Sequence, residues 1–177
     1  MDLKKPYDEL IKCYAANHIR NIKRAEHLGC FLKKDIAVEE VIVLAKDQSK
    51  KFSRITDKDY NNFILLYKQL RTHDKSITYG VYNKNNKLVA SCVFFFSNGR
   101  AYYIMVGNHP DGRTMGASHF MIDAFIMDHA GERLLLDFEG SEMRNLGWFY
   151  KSFGASEEKY AAIKLNRLPR ILRLFKQ

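Results

Sequence analysis

The chain has 177 residues, 46% of them hydrophobic and 28% charged, with three prolines and a net charge of +9. That length suits one compact domain, and the composition excludes a disordered chain, a collagen and a proline-rich linker. No stretch approaches the ~18 uninterrupted apolar residues of a membrane span, and the first six residues lack the apolar core of a signal peptide. Cys13, Cys30 and Cys92 are odd in number and have no CxxC spacing. This argues against a disulfide framework and a zinc site, and the expected location is the reducing cytoplasm. Lys159, Lys164, Arg167, Arg170, Arg173 and Lys176 all come after the last acidic residue, Glu158, so the basic excess sits in the tail and the body is nearly balanced.

Over residues 8–28, Ile11, Ala15, Ile19, Ile22 and Ala25 recur at helical spacing and Gly29 stands next as a C-cap, which predicts one amphipathic helix. Its other side carries Asn17, Arg20, Asn21 and Arg24. Such a stripe is either a solvated face or a grip on an anionic substrate. Two more helices are expected over 38–46 and 57–70, the second entered through a capping box of Thr56 and Asp59. Near Lys75 the period changes to two. Residues 77–82, 87–96 and 101–106 are rich in β-branched and aromatic side chains and are joined by turn sequences, so three antiparallel strands in a meander are expected.

A loop then leads into a helix on which Ala117, Phe120, Met121, Ala124 and Phe125 form one broad apolar face. Residues 133–138, bounded by Gly131 and Gly140, read as a short buried strand, 142–153 as a helix closed by Gly154, and 160–165 as a last strand. The order helices, meander, helix, strand, helix, strand describes an α/β fold with a mixed sheet. The loop over 107–116 is the best place for chemistry. A glycine-bearing turn that feeds a helix N-terminus exposes unpaired N–H groups, and these with the helix dipole favour phosphate, although glycine is also what a tight turn demands. The loop is neither a P-loop nor a GxGxxG fingerprint. His109, His119 and His129 are ten apart rather than at ligand spacing, so no metal is expected.

Arg113-x-x-Gly116-Ala117-Ser118, placed between a strand and a helix, resembles the acyl-CoA pyrophosphate loop of the GNAT acyltransferases, with Ser118 where that family prefers Gly or Ala. Trp148 to Ala155 looks like the GNAT helix that ends in Tyr-x-x-x-Gly-Phe, with Tyr150 at the tyrosine. Tyr14 to Ala25, Asp137-Phe138-Glu139-Gly140-Ser141 and Asn166-Arg167-Leu168-Pro169 resemble the branch of that superfamily that holds the FemX/FemAB-like peptidyltransferases and the BioF2-like acetyltransferase domain. The resemblance implies a GNAT-like α/β domain: a mixed, largely antiparallel sheet flanked by helices, with extra N-terminal helices. The segments would be a helical part over 1–74, a catalytic core over 75–166 and a basic amphipathic tail over 167–177. Relatives usually carry a further GNAT-like half before the basic helix, so the resemblance implies either a fragment that corresponds to their C-terminal half or a one-half version with an incomplete acceptor groove.

The function that the resemblance implies is transfer of an acyl group, such as acetyl, from acyl-CoA to a small-molecule or peptide amine. Arg113, Gly116, Ala117, Ser118, Val106 and Gly107 would hold the acyl-CoA, and Asn17, Arg20 and Arg24 the acceptor. Asp137 and Glu139 are two apart, so if their strand stays extended they share a face, and either can serve as general base; Glu139 is nearer the strand end and preferred. Tyr150 would protonate the leaving thiolate. The alternatives are a Fem-type transferase that uses aminoacyl-tRNA on a cell-wall precursor, and a non-catalytic basic module that binds RNA or membrane. In the tail Leu168, Ile171, Leu172 and Phe175 fall on one side among basic residues, which suits either packing on the protein's own body or docking to the anionic inner membrane face.

Overall fold

The first residues to take helical form are Tyr7–Leu10 (α1), continued by a 3₁₀ turn over Ile11–Cys13, and α2 covers Ala16–His27. The single helix expected over 8–28 is therefore broken. Tyr14 is extended, with ψ of 140°, and the Ala15 N–H donates to Ser152 O at 2.8 Å rather than to a carbonyl of its own segment. Next come β1 (Phe31–Lys34), α3 (Val38–Ser49) and α4 (Asp57–Arg71). The capping box is present: Asp59 N–H donates to Thr56 Oγ1 at 3.3 Å and Thr56 N–H to Asp59 Oδ2 at 2.8 Å. The meander is β2 (Ser76–Tyr82), β3 (Leu88–Ser97) and β4 (Arg100–Asn108), succeeded by α5 (Pro110–Met115), α6 (Ala117–Asp128), β5 (Leu135–Asp137) and α7 (Arg144–Lys151). The computed structural model describes residues 1–49, 55–140, 144–159 and 161; the strand expected over 160–165 and the tail lie outside the described residues.

The five strands lie in the order β1-β2-β3-β4-β5, antiparallel throughout except for the parallel pair β4–β5. β1 is an addition to the expected meander. Three of its four residues are exposed and two are lysines, a composition that hides the strand from a periodicity reading and suits an edge. At the opposite edge, residues 1–3 run antiparallel to β5. The Met1 ammonium donates to Leu136 O at 2.7 Å, Leu136 N–H to Met1 O at 2.8 Å and Leu3 N–H to Leu134 O at 2.9 Å.

Strand alternation divides the core between the two faces of the sheet. Tyr79, Val81 and Phe94 point to the face covered by α2 and α6, where Phe94 stacks on Phe125 with ring centroids 3.7 Å apart. Val93 and Phe95 point the other way, toward α3 and α4. Lying between the sheet and α2, α6 is buried on more than one side, with Ile122, Asp123 and Ile126 enclosed as well as the expected apolar face. The enclosed Asp123 accepts a hydrogen bond from Tyr7 OH at 2.8 Å, and burial pushes its carboxyl above the ordinary range.

Candidate functional site

β4 is paired with β5 only over Arg100–Tyr102. On its other side Ser91 faces Gly107 and Val93 faces Ile104, so Met105 and Val106 stand together opposite Cys92, and Met105 takes a left-handed φ of 49°. This is a β-bulge, which bends β4 just where β5 stops, and the two strands part. A cleft of about 590 Å³ opens there. Its walls are Tyr103–Val106 of β4, Phe138–Gly140 beyond β5, the first turn of α6, and Phe149 and Tyr150 of α7.

The loop after β4 is more ordered than a simple turn. His109 caps α5, its Nδ1 accepting from Asp111 N–H at 3.1 Å, and Gly116 with φ 83° turns the chain directly from α5 into α6. Only a residue without a side chain fits, because an added Cβ would stand 2.4 Å from Asn21 O on α2. The hydrogen-bond ladder of α6 starts with Phe120 N–H to Gly116 O at 3.1 Å. The N–H groups of Ala117, Ser118 and His119 precede that bond, in the position where helices bind anions. Arg113, Gly116, Ser118 and Val106 line the cleft. Gly107 and Ala117 do not. A Cβ on Gly107 would meet Ala45 N at 2.7 Å, so this glycine lets α3 pack on β4, while the Ala117 side chain is enclosed in the core. The hydroxyl of Ser118 donates to Asn108 Oδ1, and the Asn108 N–H is itself bound to Gln48 Oε1 at 2.6 Å.

Glu139 and Tyr150 both reach the cleft; Asp137 does not. The shared face expected for the two carboxylates is lost because the strand ends at Asp137 and Glu139 takes a left-handed φ of 53°. Asp137 instead accepts from Arg100 Nη1 at 3.3 Å and from Glu139 N–H at 3.1 Å, which makes it a brace for the turn. The Glu139 side chain is exposed to solvent. Tyr150 stacks on Phe138 with centroids 4.5 Å apart, and burial pushes its phenol up to about 12, so it is protonated at neutral pH.

The polar stripe of α2 divides. Arg20 and Arg24 are exposed and line no part of the cleft, and Asn17 lies beside His18, with Oδ1 3.1 Å from His18 Nδ1. Asn21 approaches Nε2 of His119, a cleft residue, with its Nδ2 at 3.3 Å. The pairing of His18 with His119 escaped a reading confined to metal-ligand spacing; the available signal was a histidine on the first helical turn after the loop glycine. Among the described residues no group of three or more His, Cys, Asp or Glu could hold a metal ion.

No protein-family model matches the sequence, and no curated protein matches it. Solved structures do. FemX superposes with a TM-score of 0.69 at 14% identity, over 87% of this chain and 57% of its own. A possible acetyltransferase from Clostridium difficile 630 gives 0.59 at 15% identity over 79% of this chain and 99% of its own. A predicted acetyltransferase from Clostridium acetobutylicum, in its structure with acetyl-CoA, gives 0.57 at 14% identity over 77% and 96%. The match thus spans little more than half the length of FemX and nearly the whole of the other two chains. With the parted β4–β5 pair and the loop into α6, these likenesses show a GNAT-type α/β fold, one that the chain shares with FemX.

Proposed function

We propose that the protein is an N-acyltransferase that moves an acyl group, such as acetyl, from acyl-CoA to an amine of a small molecule or peptide. The observation that carries this reading is the meeting, in one cleft, of the bulged and unpaired stretch of β4 with the N-terminus of α6. A diphosphate bound at Gly116–Ser118 would direct its pantetheine arm between the strands, bringing a thioester carbonyl to the backbone N–H groups around Met105 and Val106. These would stabilise the oxyanion that forms as the amine attacks. Glu139 would accept the proton that the amine loses, and Tyr150, a phenol that burial pushes up to about 12, would give one to the departing thiolate.

CoA should therefore stabilise the folded protein, by about 2.7 kcal/mol when present at a hundred times its dissociation constant. Thermal unfolding at rising CoA concentration measures this. A folded protein that shows no shift at millimolar CoA would remove acyl-CoA as donor. In that event the Fem-type reading, with aminoacyl-tRNA as donor and a cell-wall precursor as acceptor, takes its place. It is favoured by the extent of the likeness to FemX, 87% of this chain against 77% and 79% for the two acetyltransferases.

No helix among the described residues is long and apolar enough to cross a membrane. The basic tail makes an anionic membrane surface a proposed further partner. Salt-sensitive sedimentation with phosphatidylglycerol vesicles, lost on deleting residues 168–177 from a chain that still folds, is the expected result; no sedimentation at low salt would remove that partner.

A further inference from the structure

His119 is the cleft side chain whose tautomer a neighbouring side chain sets. It stands on the first turn of α6, half-buried and facing the cleft. Asn21 on α2 meets its Nε2 through an amide nitrogen, which can only donate, so Nε2 accepts. In a neutral imidazole the single proton is then on Nδ1.

The neutral state has a structural cause. The ring of His18 stands edge-on to that of His119 with centroids 4.6 Å apart, and burial together with this neighbour pushes His119 down to about 4. His18 is fully buried and its Nε2 is engaged by Phe149 O at 3.1 Å, so it is held between α2 and α7. Phe149 packs against the His119 ring as well, with centroids 5.0 Å apart. With Nε2 occupied and the ring packed against His18 and Phe149, Nδ1–H is the one side-chain hydrogen-bonding group that His119 has left, and it has no partner among the described residues.

We propose that His119 is a ligand-binding residue, a neutral Nδ1–H donor to a phosphoryl oxygen of the group held at the α6 N-terminus, with its tautomer set by Asn21. This rests on the acyl-CoA reading and adds a directed side-chain bond to the backbone N–H groups of the loop. It also gives the paired asparagine and histidine a role in the site, Asn21 acting as a positioning residue from α2.

Nitrogen-15 NMR of the imidazole in the full chain tests the arrangement directly. The expected spectrum has a protonated Nδ1 and an unprotonated Nε2, with the Nδ1–H resonance moved by CoA and by inorganic pyrophosphate and left alone by pantetheine, which lacks the diphosphate. His119→Phe, which keeps an aromatic ring in the slot, should weaken CoA about tenfold and leave pantetheine affinity unchanged, and His119→Asn, which restores a donor, should recover part of the loss. A proton on Nε2 would overturn the proposal. So would CoA that binds wild type and His119→Phe equally well while Nδ1–H stays unmoved, with the acyl-CoA reading left standing. Failure of CoA to bind wild type at all would overturn both.

Discussion

Gly116→Ala is expected to lower the unfolding free energy by about 4 kcal/mol, among the largest effects of a single methyl group. Two causes combine. The residue sits at φ 83°, and the new Cβ would be driven to 2.4 Å from Asn21 O, a backbone atom of α2 with little freedom to yield. Gly131→Ala separates them, since Gly131 has φ 86° with nothing within 4 Å of the added carbon. That variant should lose only the cost of a left-handed backbone, about 1–2 kcal/mol. Urea unfolding of the two variants beside the wild type measures the difference. Equal losses would mean that the approach of α2 to the loop imposes no constraint. Because Gly116 serves packing as well as the loop, ligand binding is better probed at Arg113, which is exposed.

Tyr150→Phe and Glu139→Gln should each reduce kcat with acetyl-CoA by roughly a hundredfold or more while leaving CoA affinity nearly unchanged, because each group acts on a proton in flight rather than on the bound ligand. The two differ in their structural cost. Tyr150 is stacked on Phe138, so a phenylalanine keeps that contact, and Glu139 is exposed, so neither variant should unfold. The phenol, raised to about 12, stays protonated across the accessible alkaline range, so loss of Tyr150 should lower the rate without removing an alkaline limb below pH 10. Asp137→Asn is the contrasting variant: it breaks the contact with Arg100 and should act on stability, not on turnover. Wild-type kcat in both Tyr150→Phe and Glu139→Gln would sink the proton-transfer assignment.

The fold was largely legible because its elements carry local signals. Thr56 and Asp59 announced the start of α4, and the β-branched and aromatic run around Val93 and Phe94 announced a strand of the meander. What escaped was decided by tertiary contacts. The break at Tyr14–Ala15 depends on a carbonyl at Ser152, far along the chain, and nothing in the helical periodicity of 8–28 registers it. β1 is recognisable only by its partner, Tyr79–Tyr82 of β2, since its own Phe-Leu-Lys-Lys run lacks alternation. The site divided in the same way. Arg113, Gly116 and Tyr150 were reached through the stretches that resemble the GNAT motifs, and all three line the cleft. Glu139 was separated from Asp137 only by a left-handed turn, which sequence does not encode at a glutamate, and the link from Asn21 to His119 crosses 98 residues.

The strand pairing of residues 1–3 with β5 also bears on how the chain reaches this state. The contact from Met1 to Leu136 closes a loop of 135 residues, the kind of non-local pairing that folds slowly because its entropy cost comes before its reward. During synthesis those first residues emerge long before their partner strand exists, and they must stay unattached until nearly the whole sheet has been made. β4 and β5 can meet before that, through the shorter crossover of α5 and α6, but the outer edge of β5 stays open until the N-terminal residues arrive. That interval is when the sheet is most exposed to pairing with another chain, and sealing the edge becomes a late step of folding.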